Sequence, residues 1–443
     1  MAEVLRRVKP TEEEQKKVQE AGKELKKRLE QLGGSFSRVV LAGSAARNTN
    51  LRGSSDLDVF LIYPRTISRE EMEKEALSLG KKLLSNPETR YAEHPYVHGT
   101  FMGVPVDLVP AYEMKPGERI KSATDRTPLH QEYVSSRCRG KLCDEVRILK
   151  AFLKGIGVYG AEIRVQGFSG YLAELLIIHY GSFLNLVRDA ADWKPPVFVP
   201  TTSPAVRFKD PLIVPDPVDP YRNVAAPVSL DSLATFVAAC QEFLRRPSLK
   251  FFFPEDAILS YEDVRDTLAH RNIIFVLFPY PRDTSPDIFW GQLRHMLKKV
   301  VRGMERFGYT VLCADVWTDE KMLSALALEL EKGPLGTYEK HEGPPVFNRT
   351  HSERFVDTHR DAAFGPWIEH GRWYVLRPRS ALSPVVGLYR VLETYREQSA
   401  KEPLKSCLKS MEILSGRAVL EHYTNKGLAR WVSMFILRKP RWL

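Results

Sequence analysis

Asp56 and Asp58 stand two residues apart at the head of an apolar run and carry the strongest chemical signal in the chain. Alternate side chains of a β-strand share a face, so the two carboxylates project together, their Cα atoms about 7 Å apart. Leu57, Val59 and Leu61 then point the other way, into a core. Two carboxylates on one face repel unless a cation sits between them. An all-oxygen pair of this kind suits Mg2+, which keeps several waters and completes its shell with phosphate oxygens. Upstream, Gly43-Ser44 follows the short apolar strand Val39-Val40-Leu41. Gly43 lets the backbone approach an anion closely, and Ser44 adds a hydroxyl beside the N–H groups opening a polar helical segment that carries Arg47. Downstream, Asp107 lies in VPVDLVPAY, among alternating Val104, Val106 and Leu108 that read as a neighbouring strand. Metal-binding carboxylates beside a phosphate cradle are the arrangement for nucleotidyl transfer. One ion activates an attacking 3′-hydroxyl, and a second, about 4 Å away, holds a triphosphate.

Each signal alone has a plainer alternative. Gly-Ser is usually a turn, Asp-x-Asp at a strand edge a solvated cap, and Asp107 by itself a surface residue on a half-exposed strand. Their coincidence in one α/β unit favours a site. Gly43-Ser44 followed by Asp56-x-Asp58 resembles the signature of the DNA polymerase β-type nucleotidyltransferase superfamily. In RYAEHPYVHG, Pro95 interrupts any metal-binding geometry of Glu93, His94 and His98, so these are expected in a loop at the cleft rim, with Glu93 or His94 near RNA or nucleotide. Thr127-Pro128 is expected to open a helix, clustering Arg126, Thr127 and His130 at an N-terminus suited to a triphosphate. The alternative is an N-cap threonine and a surface histidine.

Lys and Arg outnumber Asp and Glu by 65 to 55, and the resulting charge of +10 favours a polyanionic partner without identifying it. A chain of 443 residues exceeds one core and suggests about three domains of roughly 150 residues. Five scattered cysteines without a CxxC pair argue against a zinc site or disulfide framework and suit a reducing cytoplasm. The N-terminus is charged and no apolar run approaches a membrane span, so a soluble, cytoplasmic protein without membrane association is expected.

The elements that must position these groups follow from periodicity and caps. Thr11 with Glu14 forms a capping box for a helix over 11–33, and a second capped helix spans 68–86. From Asp144 the pattern becomes helical: Ile148, Leu149, Phe152 and Leu153 form an apolar stripe that leaves Lys150 reading as an exposed residue. Leu172, Leu175, Leu176 and Tyr180 repeat the pattern. A Pro-rich connector over 194–217 precedes Arg222, expected in the loop before a helix over 229–245. Beyond it come a strand over 272–281, a basic amphipathic helix over 286–307, the strand YTVLCADVW, the strand or helix MLSALALELE, and a strand over 372–378. This β-α-β-β-α-β order suggests a small antiparallel sheet backed by helices, ferredoxin-like or RNA-recognition-like. The C-terminal stretch reads as helical and basic. Its end, ARWVSMFILRKPRWL, suits RNA backbone and stacking contacts, or else forms a solvated tail.

Longer motifs carry a closer resemblance. GSAARNT, DLDVFLIYP, RYAEHPYVHG, VPVDLVPAY, IKSATDRTPLH, LKAFLKGIGVYGAE, GFSGYLAELLI, DPVDPYRNVAA and HGRWYVL resemble archaeal, class I CCA-adding enzymes, strongly to Ala226 and more loosely beyond. The resemblance implies an α+β multidomain protein: a polymerase β-like nucleotidyltransferase head (1–141), a helical neck for base recognition (142–256), and a ferredoxin-like or RNA-recognition-like body with a helical tail for tRNA binding (257–443). It implies template-independent addition of C, C and A to the 3′ end of tRNA from CTP and ATP with Mg2+, releasing pyrophosphate, and repair of damaged CCA ends. The partners implied are tRNA, through its 3′ end and acceptor/TΨC arm, and the two nucleotides; the oligomeric state stays open, a homodimer included. Asp56, Asp58 and Asp107 resemble the metal carboxylates, Asp56 standing where some relatives carry Glu. Ser44 and Arg47 resemble triphosphate contacts, His130, Lys150 and Tyr159 further nucleotide-binding positions, and Arg222 the arginine that reads the incoming base. Arg47, Lys150 and His130 would then neutralise triphosphate charge. The rivals are a poly(A) or oligoadenylate polymerase of the same superfamily and an RNA-binding scaffold with an inactive transferase domain.

Overall fold

Helix formation at the N-terminus follows from local capping. The Thr11 hydroxyl accepts the Glu14 N–H, and the Glu14 carboxylate accepts the Thr11 N–H at 2.8 Å, satisfying two donors that an uncapped helix leaves open. Ser68 and Glu71 repeat the device. The computed structural model describes residues 1–54, 56–91, 94–114, 123–255 and 258–443. The chain divides into two units, 1–255 with 440–443, and 256–439.

The first unit opens with α1 (Ala2–Val8), α2 (Glu12–Leu32), β1 (Arg38–Ala42), α3 (Gly43–Ala46), β2 (Leu57–Tyr63), α4 (Arg69–Leu83), β3 (Ser85–Tyr91), β4 (Pro95–Phe101) and β5 (Val104–Tyr112). Its five strands lie in the order β1-β2-β5-β4-β3. Only β2 and β5 are parallel within this sheet, and a parallel pair needs a crossover, which α4, β3 and β4 supply. One face of the sheet buries Val59, Leu61, Val106 and Leu108 under Leu25, Leu29, Met72 and Ala76 of α2 and α4. The other face carries Asp58, Phe60 and Ile62 beside Asp107, Val109 and Ala111.

The same unit continues with α5 (Ala123–Arg137), α6 (Lys141–Gly155), α7 (Gly170–Tyr180), α8 (Phe183–Ala190), the short strands β6 (Val197–Phe198), β7 (Leu212–Ile213), β8 (Pro215–Asp216) and β9 (Asp219–Asn223), and α9 (Leu230–Arg245). These elements share their own core, in which Phe152 meets five phenylalanine rings at 5.2 to 6.2 Å. Two sequence expectations are corrected here. Thr127-Pro128 does not open a helix, because α5 already runs from Ala123 with Pro128 inside it. Arg222 lies on β9, paired with β8, not in a loop.

The second unit contains α10 (Tyr261–Ala269), β10 (Asn272–Pro279), α11 (Pro286–Arg306), β11 (Val311–Thr318), β12 (Leu323–Leu330), β13 (Tyr338–Pro345), α12 (Arg349–His359), β14 (Phe364–Glu369), β15 (Arg372–Pro378), α13 (Pro384–Gln398), α14 (Leu404–Cys407), β16 (Glu412–Ser415) and α15 (Lys426–Leu437). A four-stranded antiparallel sheet takes the order β11-β12-β10-β16. Helices α11 and α13 pack on one face, α10 and α15 on the other. Covered on both faces, β12 needs no alternation, which is why LSALALEL was ambiguous between strand and helix. Strand β15 belongs to a separate sheet, β13-β15-β14.

The C-terminal stretch departs from expectation. It includes a strand, β16, and α15 is neither a stacking platform nor a solvated tail. Trp431, Val432 and Phe435 are buried in the core, and the Trp431 indole N–H donates to Asp315 Oδ2 at 2.8 Å. Trp442 is likewise buried, stacked on Phe251 within the first unit. Among the described residues no single helix is long and apolar enough to cross a membrane.

Candidate active site

Strand β2 begins at Leu57, so Asp56 precedes it and is exposed, while Asp58 is the first acidic residue within it. Asp58 and Asp107 are direct partners across the parallel β2–β5 ladder. In-register neighbours point the same way, so both carboxylates stand on the face opposite the Val59–Val106–Leu108 core. Burial, then the charge of Asp107, pushes the Asp58 carboxyl up to about 6. His98 on β4 faces Asp107 from the other side, with Nδ1 2.6 Å from Oδ1. Its alternation along β4 was the available signal, and it places His98 in a strand rather than a rim loop.

Gly43 closes the site from behind. Its φ is +81°, and a Cβ there would fall 1.9 Å from Asp58 Oδ2. Any side chain would both strain the turn and displace the carboxylate. Gly43→Ala is therefore expected to lower the rate of nucleotide incorporation by about 10²-fold, the scale of a 1 Å displacement of a reacting group. Single-turnover incorporation should show it while circular dichroism stays native.

Mg2+ fits the residues present. A carboxyl raised by burial and a like charge regains its ionised form when a divalent cation arrives. Among the described residues no three His, Cys, Asp or Glu side chains converge to hold an ion unaided. Two carboxylates completed by water and substrate phosphate are, however, the usual Mg2+ arrangement.

A second cluster ties α3 to the helices. The Arg47 guanidinium pairs through Nη1 with Glu174 of α7 and donates through Nε to Gln131 at 2.9 Å. The Thr49 hydroxyl donates to Glu174 at 2.5 Å. Lys150 Nζ reaches Thr49 O at 3.1 Å, Thr49 Oγ1 at 3.2 Å and Glu174 at 3.5 Å. Lys150 is 2% exposed and Glu174 1%, so the reading of Lys150 as an exposed residue is corrected. Residues 146–153 of α6 are all buried, and the helix has no solvent face there. Burial lowers the Lys150 ammonium against the pull of Glu174. For Glu174, burial would raise the carboxyl, but Lys150, Arg47 and Thr49 outweigh it and hold it below its usual range. Glu174 escaped the sequence reading. The signal was one acid in the apolar helix GYLAELLIIHY, since buried acids are nearly always paired.

The third cluster surrounds Asp216. His130 is neither at a helix N-terminus nor at the surface. It is buried within α5, with Nε2 2.9 Å from Asp216 Oδ2 and its ring stacked on Tyr171 at 3.8 Å. Arg222 Nη1 donates to Asp216 at 2.8 Å, and Arg126 pairs with Asp219. Tyr171 also lies 6.0 Å from the Arg47 guanidinium, linking this cluster to the previous one. Half-buried Tyr159 has its hydroxyl raised to about 12 by burial. Its hydroxyl and Lys150 Nζ both border Gly170 at the start of α7. Ser44 sits in α3, its carbonyl accepting the Thr49 N–H at 2.9 Å. His94 is buried, not at a rim, with Nδ1 3.0 Å from Glu73; Glu93 lies outside the described residues.

Three family models match the chain in order. A "Nucleotidyltransferase domain" covers residues 23–130, a "tRNA nucleotidyltransferase, second domain" 144–253, and a "CCA-adding enzyme, C-terminal domain" 270–416. A protein named CCA-adding enzyme from Archaeoglobus fulgidus is 40% identical over 415 residues, 93% of each chain. One of the same name from Methanosarcina barkeri is 40% identical over 384 residues, 84% of each. One from Saccharolobus islandicus is 38% identical over 379 residues, 85% of this chain and 88% of its own.

Proposed function

The chain belongs to the archaeal CCA-adding enzymes, nucleotidyltransferases that add CCA to the 3′ end of tRNA, and from that premise we propose how its residues divide the work. Asp58 and Asp107, with Asp56 at the mouth of the strand, would hold Mg2+ beside the nucleotide. His98 orients Asp107. The observation that carries this reading is the in-register Asp58–Asp107 pair with Gly43 pressed against it. Bound there, Mg2+ would offset phosphate charge and make the attacking hydroxyl more acidic. The Gly43-Ser44 turn offers N–H donors to the triphosphate. Arg47 and Lys150 share one carboxylate, and the cationic excess that leaves would favour an anion bound at the neighbouring turn. The 3′-hydroxyl of tRNA attacks the α-phosphorus: a P–O ester bond forms, the α–β phosphoanhydride bond breaks with its electron pair going to the departing pyrophosphate, and the hydroxyl proton passes to water; no protein nucleophile is required. Tyr159 and Arg222 then contact sugar and base, and His130 joins them: its ring, held below its ordinary value by burial, does not supply the positive charge expected of it against the triphosphate. Arg222 donates to cytosine O2/N3 or adenine N1, and finds no acceptor at the uracil N3–H.

Residues 1–141 would form the catalytic head, 142–256 the neck that reads the base, and 257–443 the body and tail. The strand order β16-β10-β12-β11 with α11 and α13 as crossovers supports a ferredoxin-like body. A cavity of about 430 Å3 in the second unit is lined by Lys299, Arg306, Arg377, Arg379 and Arg390 against Glu339. That charge balance supports contact with the phosphates of the acceptor/TΨC arm. Repair of damaged CCA ends is the same chemistry started part-way, and free cysteines agree with a cytoplasmic setting.

The test is incubation with tRNA lacking its terminal trinucleotide, labelled CTP and ATP, and Mg2+. Growth by three nucleotides is expected. Unbounded tailing with ATP alone would instead favour a poly(A) polymerase, and no growth would favour an inactive scaffold.

A further inference from the structure

We propose that Asp216 is a positioning residue for nucleotide choice: one buried carboxylate sets the tautomer of His130 and the direction of the Arg222 fork. The inference rests on the reading of His130 and Arg222 as nucleotide contacts and deepens it. Asp216 is 0% exposed and sits where α5, α7, β8 and β9 meet. Both oxygens are engaged. Oδ2 accepts from Arg222 Nη1 at 2.8 Å and lies 2.9 Å from His130 Nε2, while Oδ1 accepts the Tyr171 hydroxyl and the Val218 N–H, each at 3.1 Å.

The carboxylate has only lone pairs to offer, so His130 Nε2 must carry the proton in that contact. Burial pushes His130 below its ordinary value, against the pull of Asp216, which keeps the ring neutral near pH 7. A neutral ring protonated at Nε2 has an acceptor at Nδ1. Among the described residues Nδ1 makes no hydrogen bond, and Arg222, its side chain 31% exposed, makes none beyond the one to Asp216. The cluster therefore presents a fixed acceptor on His130 and fixed donors on Arg222.

This pattern selects among nucleotides. Cytosine and adenine pair an exocyclic amine donor with a ring-nitrogen acceptor, whereas uracil and guanine reverse both. The donors of Arg222 suit the ring nitrogen. The acceptor on His130 takes a nucleotide hydrogen-bond donor, either the exocyclic amine or a ribose hydroxyl. Replacing Asp216 by Asn removes the charge holding Arg222 and allows an amide N–H to face Nε2, which would invert the imidazole.

Asp216→Asn is expected to lower kcat/KM for CTP and ATP by about 10- to 100-fold, the scale seen when an outer partner of a ligating histidine is lost, with tRNA Kd unchanged. Discrimination against UTP should narrow if His130 takes the amine, and discrimination against 2′-deoxy-CTP if it takes the ribose. If neither narrows in a folded variant, the proposal falls. The wild-type enzyme gives a check independent of variant folding. Its histidine 15N spectrum, assigned with His130→Gln, should show protonation at Nε2, and protonation at Nδ1 would overturn the proposal. Arg222→Ala and His130→Gln separate the two levels. If both leave CTP, ATP and UTP kinetics unaltered, the nucleotide-contact reading fails and the Asp216 proposal with it. If they alter selection while Asp216→Asn does not, only the Asp216 proposal fails.

Discussion

Asp107→Asn is expected to slow single-turnover addition of CMP to tRNA by about 10³-fold, close to 4 kcal/mol of transition-state stabilisation. Asp107 stands beside Asp58 across the parallel ladder, and the two carboxylates together form the inner part of the anionic face that would hold the divalent ion. An amide in its place donates no charge and leaves His98 Nδ1 without its carboxylate partner. Affinity for tRNA should be unchanged, and raising the Mg2+ concentration should recover part of the lost rate. The metal-free protein should respond in the opposite direction. Asp107 is part of what raises the Asp58 carboxyl to about 6. A carboxyl raised on folding destabilises the native state at pH values above its unfolded pKa, so removing the neighbouring charge should raise Tm without Mg2+. An Asp107→Asn enzyme within about tenfold of wild-type rate would sink the assignment.

The second large effect concerns stability. Glu174→Ala leaves the Arg47 and Lys150 charges buried without the carboxylate between them. Breaking a buried pair in this way costs about 3 to 5 kcal/mol, which for a unit of this size lowers Tm by roughly 10 °C. The pH dependence carries a sign. Glu174 is held below its unfolded value, which is near 4.3. Its contribution is therefore complete above that value and is lost as pH falls through it towards the lower folded pKa. Denaturant titrations between about pH 3 and 7 should show a steeper acid loss in wild type than in Glu174→Gln. Parallel curves for the two proteins would refute the role given to Glu174. Because Arg47 ends the short helix that the Gly43-Ser44 turn opens, incorporation should fall as well.

Much of the catalytic face could be read from local pattern. Strand alternation alone put Asp58 and Asp107 opposite the Val59 and Leu108 core, and capping residues alone placed the starts of α2 and α4. These features depend on a few adjacent residues, and the local chain geometry settles them wherever the segment ends up. The clusters around Asp216 and Glu174 depend on something else. His130 meets Asp216 across 86 positions and Thr49 meets Glu174 across 125. Lys150 read as exposed because helical periodicity assumes that one side of a helix faces water, and α6 is covered on every side over that stretch. The aromatic residues of α15 read as an RNA platform for the same reason, until the sheet beneath them made them core.

By itself, then, the sequence determined which residues are chemically capable and which side of each strand they occupy, because both are properties of short peptides. Which cations are already held by carboxylates, and which atoms remain to meet a nucleotide, was decided only by the tertiary structure. The cause is electrostatic: a buried charge is stable only beside an opposite one, and that partner is brought in from a distant part of the chain.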